Sequence, residues 1–337
     1  MEYTNATMTP SITELTQGQF FYDSSHWGRL HISGGDRLRF LHNQTSNNIQ
    51  ALKPGQGCET VFLTSTARTL DLATAWIHED HIDLLVSPQR RELLLNWLDK
   101  YIFFGDAVQV ADVTDQTTTV RLLGNGWGEL GHWGSTPENH DHQSLEIAGM
   151  SVQVARGTGL ALTGYTLTHA STTQIATTGD RLSLIQWLGE QGGQALGDED
   201  WERVRILQGR PMPDAELTEE YNPLETRLWQ AISFDKGCYI GQETIARLNT
   251  YQGVKQELWG LELPTPLPPG TPLTLEGTTV GRITSCIPLT ETAFGLGYVR
   301  KKAGGLGLIL EATTPEGVNL RVKVVDVPFL EQGVMPG

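Results

Sequence analysis

The sequence predicts an α+β chain: a mixed helix-and-strand region to about residue 250, then a small all-β unit. Three observations carry this. Strands and helical stretches alternate up to Tyr251 with hairpins among them, which argues against a doubly wound parallel sheet. Beyond Tyr251 there are only short apolar runs separated by turns, the texture of a small antiparallel barrel or sandwich. Charge divides at the same place: residues 251–337 hold 7 basic and 8 acidic side chains, against 17 and 31 before them. At 337 residues the chain has room for two or three domains.

Composition bounds the function. A net charge of −15 argues against broad binding to nucleic acid or anionic lipid, so any site for an anion has to be local. Cys58, Cys238 and Cys286 are three widely spaced cysteines without C-x-x-C spacing, which gives neither a disulfide framework nor a zinc site and fits a reducing cytoplasm. Residues 1–17 are polar, show no basic start and no apolar run, and read as a flexible arm without a targeting signal. No stretch is long and apolar enough to span a membrane.

Taken in order, residues 18–250 form the larger region. Gly28–Ser33 reads as a strand, and Arg37–Gln50 as a helix with Leu38, Leu41 and Ile49 at helical spacing. Its polar end, residues 44–48, reads as a solvated helix end or the lining of a polar site. Val61–Leu63, Leu70–Ile77 and Ile82–Val86 read as hairpin strands, and Pro88–Tyr101 as a helix with proline in its first turn. Asp71 breaks an apolar strand, so its carboxylate belongs at a wet edge or inside a site.

After the strand Thr119–Leu123, Gly126, Gly128 and Gly131 match a dinucleotide fingerprint. The following His132–Pro137 cannot open the helix that such a site needs. His140 and His142 lack a third metal partner in the sequence. Asp180–Gly192 reads as a helix, Asp198 as the cap of the next one, and Asn222-Pro223-Leu224-Glu225 as the capped start of a third. In residues 251–337, strands are expected at 258–263, 273–275, 280–285, 294–299, 308–312 and 320–327.

One stretch stands out chemically: Lys236-Gly237-Cys238-Tyr239-Ile240-Gly241-Gln242-Glu243. Downstream, Ile245 and Leu248 share a helical face, which puts Cys238 just before a helix N-terminus. Unpaired backbone N–H groups and the cation of Lys236 favour a thiolate there. The alternative is a cysteine that only fills space.

This octapeptide resembles the signature of the YgfZ-type folate-binding proteins, relatives of the glycine cleavage T-protein (aminomethyltransferase). Gly35-Asp36-Arg37 through Thr45, Leu70-Asp71, Trp201 to Gly209, Asn222–Glu225, Gly281–Ser285 and Gly295–Val299 extend the likeness from about Phe20 to Leu330. The resemblance implies a three-domain ring with two folate-binding α/β subdomains and a C-terminal antiparallel β-barrel, residues 251–337. It implies tetrahydrofolate, or a one-carbon derivative of it, as cofactor and an accessory role toward iron–sulfur client or assembly proteins, including tRNA-modifying enzymes; the chain is expected to act as a monomer without direct nucleic-acid contact. Cys238 and Asp71 are then the catalytic candidates. Lys236, Gly237, Tyr239, Gly241, Gln242, Glu243, Arg205 and Arg247 are the cofactor-binding candidates, since an anionic glutamyl tail and a flat pterin call for a few cations and polar or aromatic partners. The sequence departs from the T-protein at Gly164-Tyr165-Thr166-Leu167-Thr168, which offers no carboxylate for a pterin. Folate-dependent aminomethyl transfer through Asp71, or a non-catalytic adaptor role, are the alternatives.

Overall fold

A strand placed early in the chain sets the architecture. The computed structural model describes residues 10–131, 138–170 and 178–331. Helix α1 (Ile12–Gln17) leads into β1 (Phe20–Asp23), followed by β2 (Gly28–Ser33), α2 (Arg37–Gln44), β3 (Gly57–Leu63), β4 (Thr69–Ile77) and β5 (His81–Val86). Next come α3 (Arg91–Lys100), β6 (Gln109–Asp112), β7 (Thr117–Leu123), β8 (His142–Ile147), β9 (Met150–Arg156) and β10 (Gly164–Ala170). Then follow α4 (Thr178–Glu190), β11 (Gln194–Leu196), α5 (Asp198–Gln208) and α6 (Gln242–Thr250). The C-terminal unit comprises β12 (Gln256–Leu263), β13 (Pro272–Leu275), β14 (Thr278–Pro288), β15 (Ala293–Arg300), β16 (Ile309–Thr313) and β17 (Asn319–Val325), closed off by α7 (Pro328–Glu331).

These strands make three sheets. β1 leaves the strands that follow it and joins the later ones in the order β11-β1-β7-β10-β9-β8, while β2–β6 make the order β3-β4-β5-β2-β6. The first 250 residues are therefore two interleaved α+β units. The last strands close as the barrel β12-β15-β14-β13-β16-β17, which removes exposed edges. The expectation of a barrel or a sandwich is thus settled as a closed antiparallel barrel.

Four local expectations are corrected. The arm read over residues 1–17 contains a capped helix: Ser11 and Glu14 form a reciprocal capping box, and Leu15 is fully buried. The helix read to Gln50 stops at Gln44, because Thr45 turns extended and bridges Phe62. Gly197, rather than Asp198, is the cap residue of α5, with the Asp200 carboxylate accepting from its N–H, while Asp198 accepts the Tyr22 hydroxyl. Asn222 and Glu225 exchange capping hydrogen bonds, yet the chain forms turns there instead of a regular helix. The glycine-rich run after β7 opens only a short 3-10 turn over Asn125–Trp127. Gly124, at φ 99°, lies so close to the Gly18 carbonyl that a side chain has no room. Residues 132–137 lie outside the described ones.

Buried polar links fasten the barrel to the rest. Tyr298 stacks on Tyr221 at 3.5 Å, and its hydroxyl donates to the Glu216 carbonyl oxygen at 2.9 Å. Glu216 also accepts from Arg205 Nη1 at 2.8 Å and from the Ser285 hydroxyl at 2.6 Å. Such a buried ion pair needs this full set of partners, because desolvation of two charges is costly.

Candidate functional site

The octapeptide 236–243 folds as a loop clamped from beneath. Its anchor is Lys236, only 6% exposed, whose ammonium donates to the carbonyl oxygens of His42 (2.5 Å), Thr45 (2.7 Å) and Asn47 (2.7 Å). These carbonyls belong to the end of α2 and the strip after it, where helix geometry leaves acceptors without intrahelical donors and the dipole favours a cation. The polar strip 44–48 is accordingly packed and not a solvated helix end, with Gln44, Thr45 and Ser46 buried. Ser46 donates to the Ala231 carbonyl at 2.6 Å, the Ser233 N–H donates to the Ser46 carbonyl at 3.0 Å, and the Ile240 N–H to the Asn43 carbonyl at 3.2 Å. Burial pulls the Lys236 amine down to about 7.

The rest of the loop divides into an inner and an outer face. Tyr239 is buried in the core shared with Ile245 of α6, and Lys236 sits 4.8 Å from its ring centre. Gln242 donates to the Lys236 carbonyl at 3.2 Å and so closes the loop on itself. Gly241 is the N-cap of α6 at φ 84°, where a side chain would meet the Thr64 carbonyl at 2.9 Å. Outward lie Gly237, Glu243, Arg247 and, centrally, the exposed thiol of Cys238. The other two cysteines are half-buried; burial pushes Cys58 up to about 12 and raises Cys286. Gly237 is open: the nearest atom to a side chain placed there is His42 Nε2 at 4.0 Å. His42 is itself pulled down to about 4 by burial and then by Lys236, so it stands neutral at physiological pH.

Asp71 lies apart from this loop. It is fully buried on β4, and its carboxylate accepts from the Leu72 N–H (2.9 Å), the Ser87 N–H (2.9 Å) and the Ser87 hydroxyl (2.7 Å). Burial outweighs these bonds and the nearby Arg210 charge, raising its pKa to about 6. Between the two possibilities read from the sequence, an enclosed position is what the structure shows.

Arg205 is also buried, with every donor taken: Nε and Nη2 serve Glu202, Nη1 serves Glu216 and the Arg210 carbonyl, and Nη2 also serves Ser285. With five N–H groups in all, it has none left for a ligand. Lys236 is in the same position with three. In this structure both cations hold the scaffold, their N–H groups engaged by carbonyls, carboxylates and the Ser285 hydroxyl.

Two buried arginines that the sequence reading missed do retain donors. Arg121 on β7 lies 4.2 Å from the Trp27 ring centre and 5.0 Å from that of Trp201. Its Nη1 donates to the Thr158 carbonyl at 2.5 Å, while Nε and Nη2 are buried with no hydrogen-bond partner. Arg210 pairs with Glu59 at 2.7 Å and donates to the Gly159 carbonyl at 2.6 Å, its Nε unpartnered. Unsatisfied buried guanidinium N–H groups suit a carboxylate. A cation in the middle of the apolar β7 run, Val120-Arg121-Leu122, was the available signal.

Comparison with known proteins agrees with this architecture. Residues 4–236 match the family described as the GCVT N-terminal domain. A chloroplastic protein of Arabidopsis thaliana, named as a candidate transferase, is 41% identical over 328 residues, covering 95% of this chain and 73% of its own. The aminomethyltransferase of Halalkalibacterium halodurans is 25% identical over 331 residues, covering 93% and 87%. In three dimensions the chain resembles the glycine cleavage system aminomethyltransferase T of Bartonella henselae, with a TM-score of 0.80 at 18% identity, covering 96% of this chain and 89% of that one. That likeness establishes a T-protein-like fold.

Proposed function

The chain belongs to the GCVT-domain family, with an aminomethyltransferase-like fold, and from that premise we propose that it is a YgfZ-type tetrahydrofolate-binding protein that supports iron–sulfur enzymes through Cys238. The observation that carries this reading is the contrast between its two reactive candidates. Cys238 is exposed on a loop that Lys236 and Gln242 hold rigid, whereas Asp71 is enclosed and fully hydrogen-bonded. An exposed thiol on a fixed loop is suited to a soft cargo such as an iron–sulfur cluster, or to a thiol partner on a client protein. In this reading the protein acts in the cytoplasm, as a monomer, on client or assembly proteins. No described helix is long and apolar enough to cross a membrane.

For the folate, the unpartnered donors of Arg121 and Arg210 would meet the glutamyl carboxylates. When bound, tetrahydrofolate supplies a reduced pterin able to carry one-carbon units. Gly237, Tyr239, Gly241, Gln242, Glu243 and Arg247 then act by shaping and presenting the thiol loop. The test is a Cys238→Ser chain that still folds and binds folate by calorimetry: it should fail to restore iron–sulfur enzyme activity in cells lacking the protein. Full restoration ends the thiol reading.

A second reading is favoured by the position of Asp71 near neutrality. A carboxyl raised to about 6 suits general acid–base work in one-carbon transfer. Formation of methylene-tetrahydrofolate from an aminomethyl-lipoyl carrier, dependent on Asp71 and indifferent to Cys238, would establish that reading instead.

A further inference from the structure

Four histidines and one aspartate gather where the two α+β units meet, remote in sequence from the cysteine loop. His31 on β2 lies directly across from Asp83 on β5, and His81 sits two residues before Asp83, so all three side chains leave the same face of the sheet. His31 Nε2 is 2.5 Å and His81 Nε2 3.6 Å from Asp83 Oδ1, and the three ligand atoms lie within 4.8 Å of one another. The His78 ring stacks on His81 at 4.2 Å, with its Nε2 3.3 Å from Asp83 Oδ2. His142 on β8 comes within 4.5 Å of His78 from the other unit.

Three further facts distinguish this cluster from a set of surface histidines. Asp83 is 2% exposed, and its Oδ1 and His78 Nε2 are buried without a well-aligned hydrogen-bond partner. Arg29 pairs with Asp83 Oδ2, so the other carboxylate oxygen remains for the histidine side. Asp80 Oδ1 lies 2.7 Å from His81 Nδ1. A proton on Nδ1 donated to that carboxylate leaves the lone pair of His81 on Nε2, facing Asp83, which is the arrangement by which carboxylates orient metal-bound imidazoles.

We propose that His31 Nε2, His81 Nε2 and Asp83 Oδ1 form a binding site for one divalent ion of the zinc class, oriented by Asp80 and Arg29. Two imidazole nitrogens and one carboxylate oxygen are a donor set for zinc or cobalt rather than for calcium or magnesium, which prefer oxygen. Tetrahedral ligands bonded at about 2.0–2.1 Å stand roughly 3.3 Å apart. The His81–Asp83 pair is already near that spacing, and His31, with its side chain 32% exposed, has room to withdraw. The same exposure leaves the fourth position to water. The ion would fasten β2 to the start of β5, so its role is to stabilise that strand pair, independent of the folate and thiol readings.

Calorimetric titration of chelator-treated, dialysed full-length protein with zinc chloride, with cobalt chloride absorption alongside, tests this. One equivalent should bind, raise Tm, and give a cobalt spectrum without thiolate charge transfer. His31→Gln and His81→Gln should each weaken binding at least tenfold, Asp80→Asn by 10- to 100-fold, and Cys238→Ser not at all. His31→Gln alters a partly exposed side chain, so with an unchanged circular dichroism spectrum it decides the matter even if His81→Gln misfolds. Absence of one-to-one binding, a thiolate spectrum, or undiminished affinity in folded His31→Gln overturns the proposal.

Discussion

The Lys236 ammonium lies 2.7 Å from the Thr45 carbonyl oxygen, across 191 residues of sequence, and two further carbonyls complete its shell. This makes the lysine of the signature a bolt between the cysteine loop and the end of α2. Lys236→Met would take the ammonium donor from the buried His42 and Thr45 carbonyls, while the Asn47 carbonyl keeps the Ile49 N–H, for a loss of about 2–4 kcal/mol. Denaturant unfolding should show that loss. A thiol-specific reagent should label Cys238 faster in the variant, because the loop is released; slower labelling would mean that Lys236 mainly activates the thiol.

The three cysteines should separate kinetically. Cys238 is exposed, while burial raises the pKa of Cys58, up to about 12, and of Cys286. A disulfide reagent at pH 8 should therefore titrate one thiol quickly and two slowly, and Cys238→Ser should abolish only the fast phase. Since its side chain is exposed, that substitution should change stability by less than about 0.5 kcal/mol.

How much of this was legible in the sequence depends on whether the governing contacts were local. Periodicity located β2, the hairpin of β4 and β5, and the barrel strands, because alternation and turn residues act over a few positions. The octapeptide marked the cysteine loop, and Ile245 with Leu248 marked the face on which α6 packs. The partners of Lys236 and Arg205 were invisible, because they come from residues far along the chain. Motif position in the resemblance suggested that these cations serve a ligand, whereas their engagement with carbonyls and carboxylates comes from long-range packing. Asn222 and Glu225 show the complementary case: the capping box forms as read, yet the chain turns onward, with Arg227 at φ 60°. The β2–β5 register that unites His31 with Asp83 likewise depends on tertiary pairing.

Gly241 and Gly237 should respond differently to the same substitution. Gly241 has φ 84°, and a side chain there would stand 2.9 Å from the Thr64 carbonyl and 3.2 Å from Ala67 Cα. Gly241→Ala should cost about 1–3 kcal/mol through combined strain and overlap, on thermal unfolding. Gly237→Ala meets nothing closer than 4.0 Å and should be nearly neutral in stability.

Asp71 should leave a signature in the pH dependence of stability. Its folded pKa is about 6 against an ordinary value of 3.8, so between these limits the folded state holds more proton than the unfolded chain. Stability rises with pH only where the unfolded state binds more protons, so here the sign is reversed. The contribution of the protonated carboxyl is complete below about pH 4 and is lost as pH climbs through about 6, amounting to roughly 3 kcal/mol for a two-unit shift. Asp71→Asn cannot titrate. It keeps an oxygen for Ser87 but puts a donor in place of the other acceptor, so it should be the less stable protein near pH 4 and should close most of that gap by pH 7, where the ionised Asp71 has lost its own contribution. Urea midpoints for both proteins from pH 4 to pH 8 measure the difference; curves that stay parallel would show that Asp71 carries the same charge in the folded and unfolded states.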